Sequence, residues 1–417
     1  MAKSAHGGKT PVASRGGVFV HSLMLGILPL ECAVRHYDWG SRSALGRLLG
    51  RPASGRPEAE LWMGAHPAAP SVARVGARRV TLDRLIAEHP AETLGRAPLQ
   101  GHDATLPFLF KVLALGKPVS VQAHPTRARA VRGFEAEQRA GVPLDAPHRS
   151  YKDRGHKPEV MMALEPMVVL SGIRPLDQIH AALTAAGVGD LAAPAPPAGV
   201  RDAAEATRRL LRATLALDDT AGACLHRRLV DGVARDTAEG ALLATLAEHY
   251  PDDPTVIAAL LLNRFELRPE EALYTPPGQL HAFVSGAGIE LMANSDNVLR
   301  AGLTSKHVDV DELLAATDLR PAAPARVVPR PAGPAERSYR SPAEEFRLSV
   351  IDLGVGGSFT PRGPEVLLLL GDGARLRWPG GTLTLRRGDA AFVPASVAAY
   401  EAQGTGRLYR ARAGSDL

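Results

Sequence analysis

The sequence reads as a mainly β protein interrupted by one helical block. Three observations predict this. Short apolar runs, divided by Gly and Pro turn signals, recur from about residue 25 to 170. From about Pro175 the texture becomes Ala-, Leu- and Arg-rich, with helical periodicity and few breakers, up to residue 263. Past residue 345 strand-like segments return at regular short spacing, as in a small barrel or sandwich. A chain of 417 residues exceeds one ordinary core, so two or three domains are expected.

Residues 1–24 are expected to be a disordered extension. The run GVFVHSLMLGILPL (17–30) is apolar but shorter than a membrane span. Lys and Arg precede it, as in a signal peptide, but no small-residue cleavage site follows, and Met24 is an alternative start. Residues 25–171 and 264–318 are expected to form one β unit. Within it TLPFLFKVLAL and PVSVQAHP are strands split by the turn Gly116-Lys117-Pro118, and VMMALEPMVVLSGI continues the pattern. The helical insertion, 172–263, comprises RDAAEATRRLLRATLAL, GALLATLAEHY and DPTVIAALLLNRF, with LAAPAPPAGV as a loop. Strands resume at EALYTPPGQLHAFV and GIELMAN. Residues 319–344, rich in Pro, Ala and Arg, are expected to be a linker-like connection. Residues 345–417 carry EFRLSVIDL, EVLLLLGDG, ARLRWPGG, TLTLRRGDAAFVPAS and RLYRARA, a second small β unit.

Bulk properties narrow the function. Apolar residues make up 45% and charged residues 22%, a globular composition. The net charge of +5 is spread among acidic residues, with no basic run and few aromatics, which argues against nucleic acid and suits an anionic small substrate. No apolar run is long enough for a membrane partner. The two cysteines, Cys32 and Cys224, match no metal or redox spacing, so a reducing cytoplasm is expected.

Four constellations can carry chemistry. In Ser120-Val-Gln122-Ala-His124, strand alternation places Ser120, Gln122 and His124 on one face and Val119, Val121 and Ala123 on the other. Such a polar face meets a ligand or metal, or is simply wet. In His156-Lys157-Pro158-Glu159, Lys157 and Glu159 share a face, as a plain salt bridge would, but the apolar strand that follows implies an enclosed setting. Pro276-Pro-Gly278-Gln-Leu-His281 is a tight turn delivering a histidine to a strand start, like the second half of a cupin metal signature. Together Gln122, His124, Glu159 and His281 offer two imidazoles, a carboxylate and an amide oxygen, a set for zinc, with manganese or iron as alternatives. The fourth, residues 286–307, places Glu290, Met292 and Asn294 on one face, then Asp296, Arg300 and Lys306 in a loop region. Arg and Lys beside a metal suit a phosphate, although Lys306 alone reads as a solvated cation.

Tyr37-Asp-Trp-Gly-Ser41, Glu60-Leu-Trp-Met-Gly-Ala-His-Pro67, Leu106-Pro-Phe-Leu-Phe-Lys111, Ser120 to Pro125, Tyr151-Lys-Asp, His156 to Glu159, Pro277 to His281 and Glu290 to Arg300 occur in this order. The chain thereby resembles the type I mannose-6-phosphate isomerase family over residues 30–310. The resemblance implies two cupin (jelly-roll) β-barrels, one bearing the metal, plus an inserted helical domain; Gly388 to Pro394 looks like a cupin turn without its histidine. It implies one zinc ion per chain on Gln122, His124, Glu159 and His281. It implies a catalytic Arg300, with Lys157, Glu290 and Asp296 as pocket residues. It also implies that Lys111, Ser120 and Lys306 hold the substrate phosphate. The implied activity interconverts mannose 6-phosphate and fructose 6-phosphate through a cis-enediol, in a cytoplasmic monomer whose product enters carbohydrate metabolism toward GDP-mannose. Lys157 is the first candidate for the base, with Glu290 and Asp296 behind it. Two positions depart from the family pattern: Gly155 replaces an Asn and Phe283 a Tyr. The alternatives are a non-catalytic sugar-binding bicupin, or a cupin isomerase or epimerase for another sugar phosphate.

Overall fold

The structure, a computed structural model, describes residues 25–95, 104–191, 200–322 and 325–414. The expected extension 1–24 and most of the loop LAAPAPPAGV lie outside the described residues.

Among the described residues, three antiparallel sheets carry the β framework. The largest, of eleven strands, orders Ala325–Arg326, Ala272–Thr275, Glu159–Ala163, His281–Ala293, Phe108–Leu115, Glu60–Met63 and Ala33–Arg35. The 13-residue strand His281–Ala293 is its hinge. Its first residues pair with Met167–Ile173, a bulge follows at Phe283 to Ser285, and its second half runs between Glu159–Ala163 and Phe108–Leu115. The bulge turns the strand, so the sheet curls around an interior holding Leu113, Met161, Val169, Leu273 and Phe283. Val121–Ala123 joins this sheet between His281 and the strand Leu299–Gly302.

Alternation gives this sheet two different backs. Behind Gln122, the residues Val121 and Ala123 face the helical block, with Leu170, Ala282, Leu299 and Ala301. The expected alternation stops there: Val119 precedes the strand and lines a cleft beside Ser120, because the Lys117-Pro118 turn breaks the pleat. Behind Lys111 and Glu290, the residues Phe110, Val112, Ile289 and Leu291 enter a core shared with Phe346, Leu348, Val366, Leu368, Phe392 and Tyr409 of the second sheet.

That second, nine-stranded sheet is composite. Its C-terminal strands, Glu336–Tyr339, Phe346–Asp352, Arg407–Ala413, Glu365–Leu369 and Ala390–Val393, continue into Leu28–Glu31, Val72–Val75 and Arg78–Thr81. The N-terminal segment thus closes the C-terminal sheet, which the division at residue 345 does not foresee. The stretch 319–344 is likewise not a plain linker: it contains Ala325–Arg326, Arg330–Pro331 and Glu336–Tyr339, each paired in a sheet. Short strands find partners by tertiary contact, which local composition does not encode.

The helices between Leu176 and Leu261 pack on the outside of the first sheet. Their starts follow capping chemistry: Asp218 accepts from Ala221 N, Thr237 from Gly240 N, and Asp253 from Thr255 N. Among the described residues no helix is long and apolar enough to cross a membrane.

Candidate metal centre and cleft

Three strands and one turn deliver the ligand candidates. Gly278 takes φ +88°, a left-handed turn conformation that suits glycine, and Gln279 N donates to Pro276 O at 3.2 Å to close the turn. Gly278 N also donates to His124 O at 2.6 Å, tying the two histidine segments together. Register then aligns Arg300, Gln122 and His281 across neighbouring strands. Glu159 opens its strand opposite Met292.

The side chains of His124, Glu159 and His281 converge: their ligand atoms all lie within 4.8 Å of one another, and all three residues are buried. Nε2 of His124 stands 3.1 Å from Glu159 Oε1, and Nε2 of His281 stands 3.2 Å from Glu159 Oε2. Glu159 Oε2 and His124 Nε2 are buried without a hydrogen-bond partner, and Glu159 Oε1 is approached by the Lys157 ammonium at 3.0 Å without forming an aligned hydrogen bond. Unpartnered buried acceptors are costly, and a cation among them relieves that cost. The outer ring atoms fix the tautomers. His124 Nδ1 lies 2.7 Å from Asn297 O and His281 Nδ1 lies 3.1 Å from Gln279 O. A carbonyl only accepts, so each Nδ1 carries the proton and each Nε2 offers a lone pair to the centre. Gln122 Nε2 is 3.5 Å from His281 Nε2; turned half round about its last torsion, the amide brings its oxygen to the same point. This donor set and these tautomers fit a zinc ion.

Electrostatics support the same reading. Burial, and then the neighbouring Lys157, lower His124 to about 4, so it is neutral as a ligand must be. Burial acts to raise the Glu159 carboxyl, but Lys157 and the imidazoles outweigh it and hold it well below the usual carboxylate range. The Lys157 ammonium sits 3.0 Å from Glu159 Oε1.

Above the centre opens a cleft of about 630 Å³, the scale of a small-molecule site. Gln122 and Lys157 form part of its floor, while Lys111, Ser120, Glu290, Asp296, Arg300 and Lys306 also line it. These groups differ in how they are committed. Lys111 Nζ is 2.9 Å from Glu290 and 4.0 Å from Glu60, and although burial acts to lower it, these carboxylates hold its ammonium above the usual range. Burial raises the Glu290 carboxyl despite Lys111. Asp296 is half-exposed and 3.2 Å from His66 Nε2. No carboxylate among the described residues pairs with Arg300 or Lys306. Burial lowers both, and Arg300 lowers Lys306 further. Two unpaired cations facing one cleft are what an anionic group requires.

The two departures have distinct settings. Phe283 lines the cleft with its ring centroid 5.7 Å from that of His281, an apolar wall where a hydroxyl would have stood. A Cβ on Gly155 would come within 2.8 Å of Asp153 Oδ1, which accepts from Gly155 N and Ser295 Oγ. The absence of a side chain lets those two loops close.

Four residues in or behind the cleft wall carry no role in the sequence analysis, although Glu60 and His66 fall within the Glu60 to Pro67 motif. Glu60 accepts from Trp62 Nε1 and approaches Lys111; a buried acid in an otherwise apolar strand was the available signal. His66 holds Asp296. His249 and Tyr250 come from the helical block, and nothing local marks them.

Comparison with known proteins gives a consistent picture. The family description "Phosphomannose isomerase type I, catalytic domain" matches residues 27–176. The chain is 36% identical to the mannose-6-phosphate isomerase of Salmonella typhimurium over 393 residues, 91% of this chain and 97% of the relative. It is 32% identical to mannose-6-phosphate isomerase 1 of Arabidopsis thaliana over 411 residues, 92% of this chain and 93% of the relative. A crystal structure of mannose 6-phosphate isomerase in a holo, zinc-bound form is similar over 94% of this chain and 100% of that one, with a TM-score of 0.84 at 32% identity.

Proposed function

The chain belongs to the type I phosphomannose isomerase family, and from that premise we propose that it interconverts D-mannose 6-phosphate and D-fructose 6-phosphate. One observation carries the proposal. The buried His124–Glu159–His281 centre lies under a cleft whose uncommitted cations are Arg300 and Lys306. The ion for that centre is zinc, one per chain, held by His124, Glu159, His281 and the Gln122 amide. When bound, zinc supplies a Lewis acid that polarises the substrate oxygens at C1 and C2.

The chain's own residues divide the remaining work. Arg300, Lys306 and Ser120 grip the phosphate. Lys111, expected among the phosphate holders, is committed to Glu290 and Glu60 and instead sets the charge of the catalytic wall. In the direction from mannose 6-phosphate, the isomerisation moves one proton from C2 to C1 and the hydroxyl proton from O2 to O1, and the reverse direction undoes both transfers. Glu290 is our choice of base: a buried, cleft-lining carboxyl raised by that burial can take the C2 proton and return it to C1. Lys157, the sequence's first candidate, has its ammonium beside Glu159 and serves better to stabilise charge on the enediol oxygens. Asp296 is tied to His66 and stands at the rim.

We assign the eleven-stranded sheet to a metal-bearing cupin barrel and the other two sheets to a second barrel. Residues 325–414 contain no His or Cys, which accords with a barrel without metal. The cleft groups named here all come from one chain, which accords with a monomeric functional unit. Free Cys32 and Cys224 accord with a reducing cytoplasm.

The test is turnover of fructose 6-phosphate by the purified protein before and after chelation, with metal analysis. The expected result is activity that is lost on stripping and restored by zinc. Full activity in the stripped protein would sink the proposal. Binding of metal and phosphate without turnover would identify a sugar-binding bicupin. Faster turnover of another sugar phosphate would identify a different isomerase or epimerase.

A further inference from the structure

Two loops form the lips of the cleft, and both are fastened to one short segment of the helical block. At the end of the helix Ala238–His249, Tyr250 donates from its hydroxyl to Pro118 O at 2.6 Å. That carbonyl belongs to the turn just before Ser120. Five residues on, Thr255 Oγ1 accepts from Leu303 N at 2.8 Å and donates to Asp253 Oδ1. Leu303 lies between Arg300 and Lys306.

The second fastening is tight. Leu303 is buried and takes φ +50°, a conformation a bulky side chain seldom adopts without support. At Gly302 a Cβ would fall 2.2 Å from Thr255 Cβ, so the loop passes directly over the threonine. Asp253 in turn is held from behind, its carbonyl 3.0 Å from His226 Nδ1 on the helix Asp219–Gly232. Thr255 is therefore a rigid post and not a chance contact.

We infer that the segment 249–255 of the helical insertion acts as a clamp that sets the spacing of the phosphate-gripping groups, with Tyr250 and Thr255 as positioning residues for substrate binding. Tyr250 places the turn leading to Ser120; Thr255 places the loop carrying Lys306, next to Arg300. This rests on the reading that Arg300, Lys306 and Ser120 hold the phosphate. It assigns the insertion a part in affinity, where a purely architectural role would leave affinity untouched.

The experiment uses the zinc-loaded full chain as wild type, Tyr250→Phe, Thr255→Val and Thr255→Ser. It measures KM and kcat for fructose 6-phosphate, the Kd of inorganic phosphate, zinc content and thermal midpoint. Loss of one hydroxyl is expected to raise KM and phosphate Kd roughly fivefold in Tyr250→Phe and Thr255→Val. Thr255→Ser is expected to match wild type, and kcat and zinc content to stay within twofold throughout. Unchanged phosphate affinity in both hydroxyl-deleted variants would overturn the inference, as would a fall in kcat alone, or zinc loss or unfolding accompanying the affinity change. Wild-type protein that binds neither inorganic phosphate nor fructose 6-phosphate would instead refute the underlying reading of the cleft.

Discussion

At the residue scale, function depends on how each polar group is committed. His124 and His281 each give one nitrogen to a backbone carbonyl, and this leaves the other nitrogen free for a metal. Arg300 and Lys306 stay uncommitted and so can bind an anion. Glu290 lies between these extremes, paired with Lys111 yet raised by burial. A raised carboxyl becomes protonated at a higher pH than an ordinary one, so a base of this kind loses activity on the acid side. We predict an acid limb in kcat/KM lying above the usual carboxylate range. Glu290→Gln should lower kcat by roughly 10²–10⁴, erase that limb and leave zinc content unchanged. A Glu290→Gln enzyme with near-normal turnover, alongside a dead Lys157→Met enzyme, would return the base to Lys157.

At the element scale, turns and bulges aim the ligands. The bulged strand His281–Ala293 presents His281 and Phe283 to one part of the interior and Glu290 to another. Gly278 is the buried turn residue on which this design depends, because its φ of +88° has to be kept for His281 to start the strand in place. A Cβ there meets nothing closer than 3.5 Å, so the cost of Gly278→Ala is backbone strain and not a clash. That strain should destabilise the protein by about 1–2 kcal/mol in denaturant unfolding. The same variant should give up zinc to a competing chelator more readily than wild type, since the turn also bonds His124 O. Wild-type stability and metal retention would show that the turn relaxes without moving the histidine.

At the scale of the whole molecule, one core lies between the two large sheets. Phe110, Val112, Ile289 and Leu291 back the cleft wall, and Phe346, Leu348, Phe392 and Tyr409 meet them from the other side. Leu28–Glu31 seals the arrangement by pairing with Ala390–Val393. The wall that carries Lys111 and Glu290 is therefore supported by residues far from the cleft. Phe392→Ala, at a fully buried position, should cost about 3–5 kcal/mol. Zinc release and loss of β signal on heating should then shift down together. A lowered β transition with an unmoved zinc-release midpoint would mean that the two sheets melt as separate units.

Much of the site was legible in the chain because its chemistry is local. Ser120 to His124, His156 to Glu159 and Pro276 to His281 each place a metal-ligand type in or beside a short strand, Glu159 and His281 at strand starts and His124 just past a strand end, and alternation or turn geometry follows from the residues themselves. The three textures, strand, helix and strand again, were equally local. The sequence by itself determined which side chains could bind metal and anion, and where helices replace strands. Only the tertiary structure decided that Lys111 is spent on Glu290 while Arg300 is not, that residues 28–81 contribute strands to the C-terminal sheet, and that Tyr250 and Thr255 reach the cleft. The physical reason is range. Backbone preference and side-chain alternation act over a few residues, whereas ion pairing and strand partnership depend on which distant segments burial brings together.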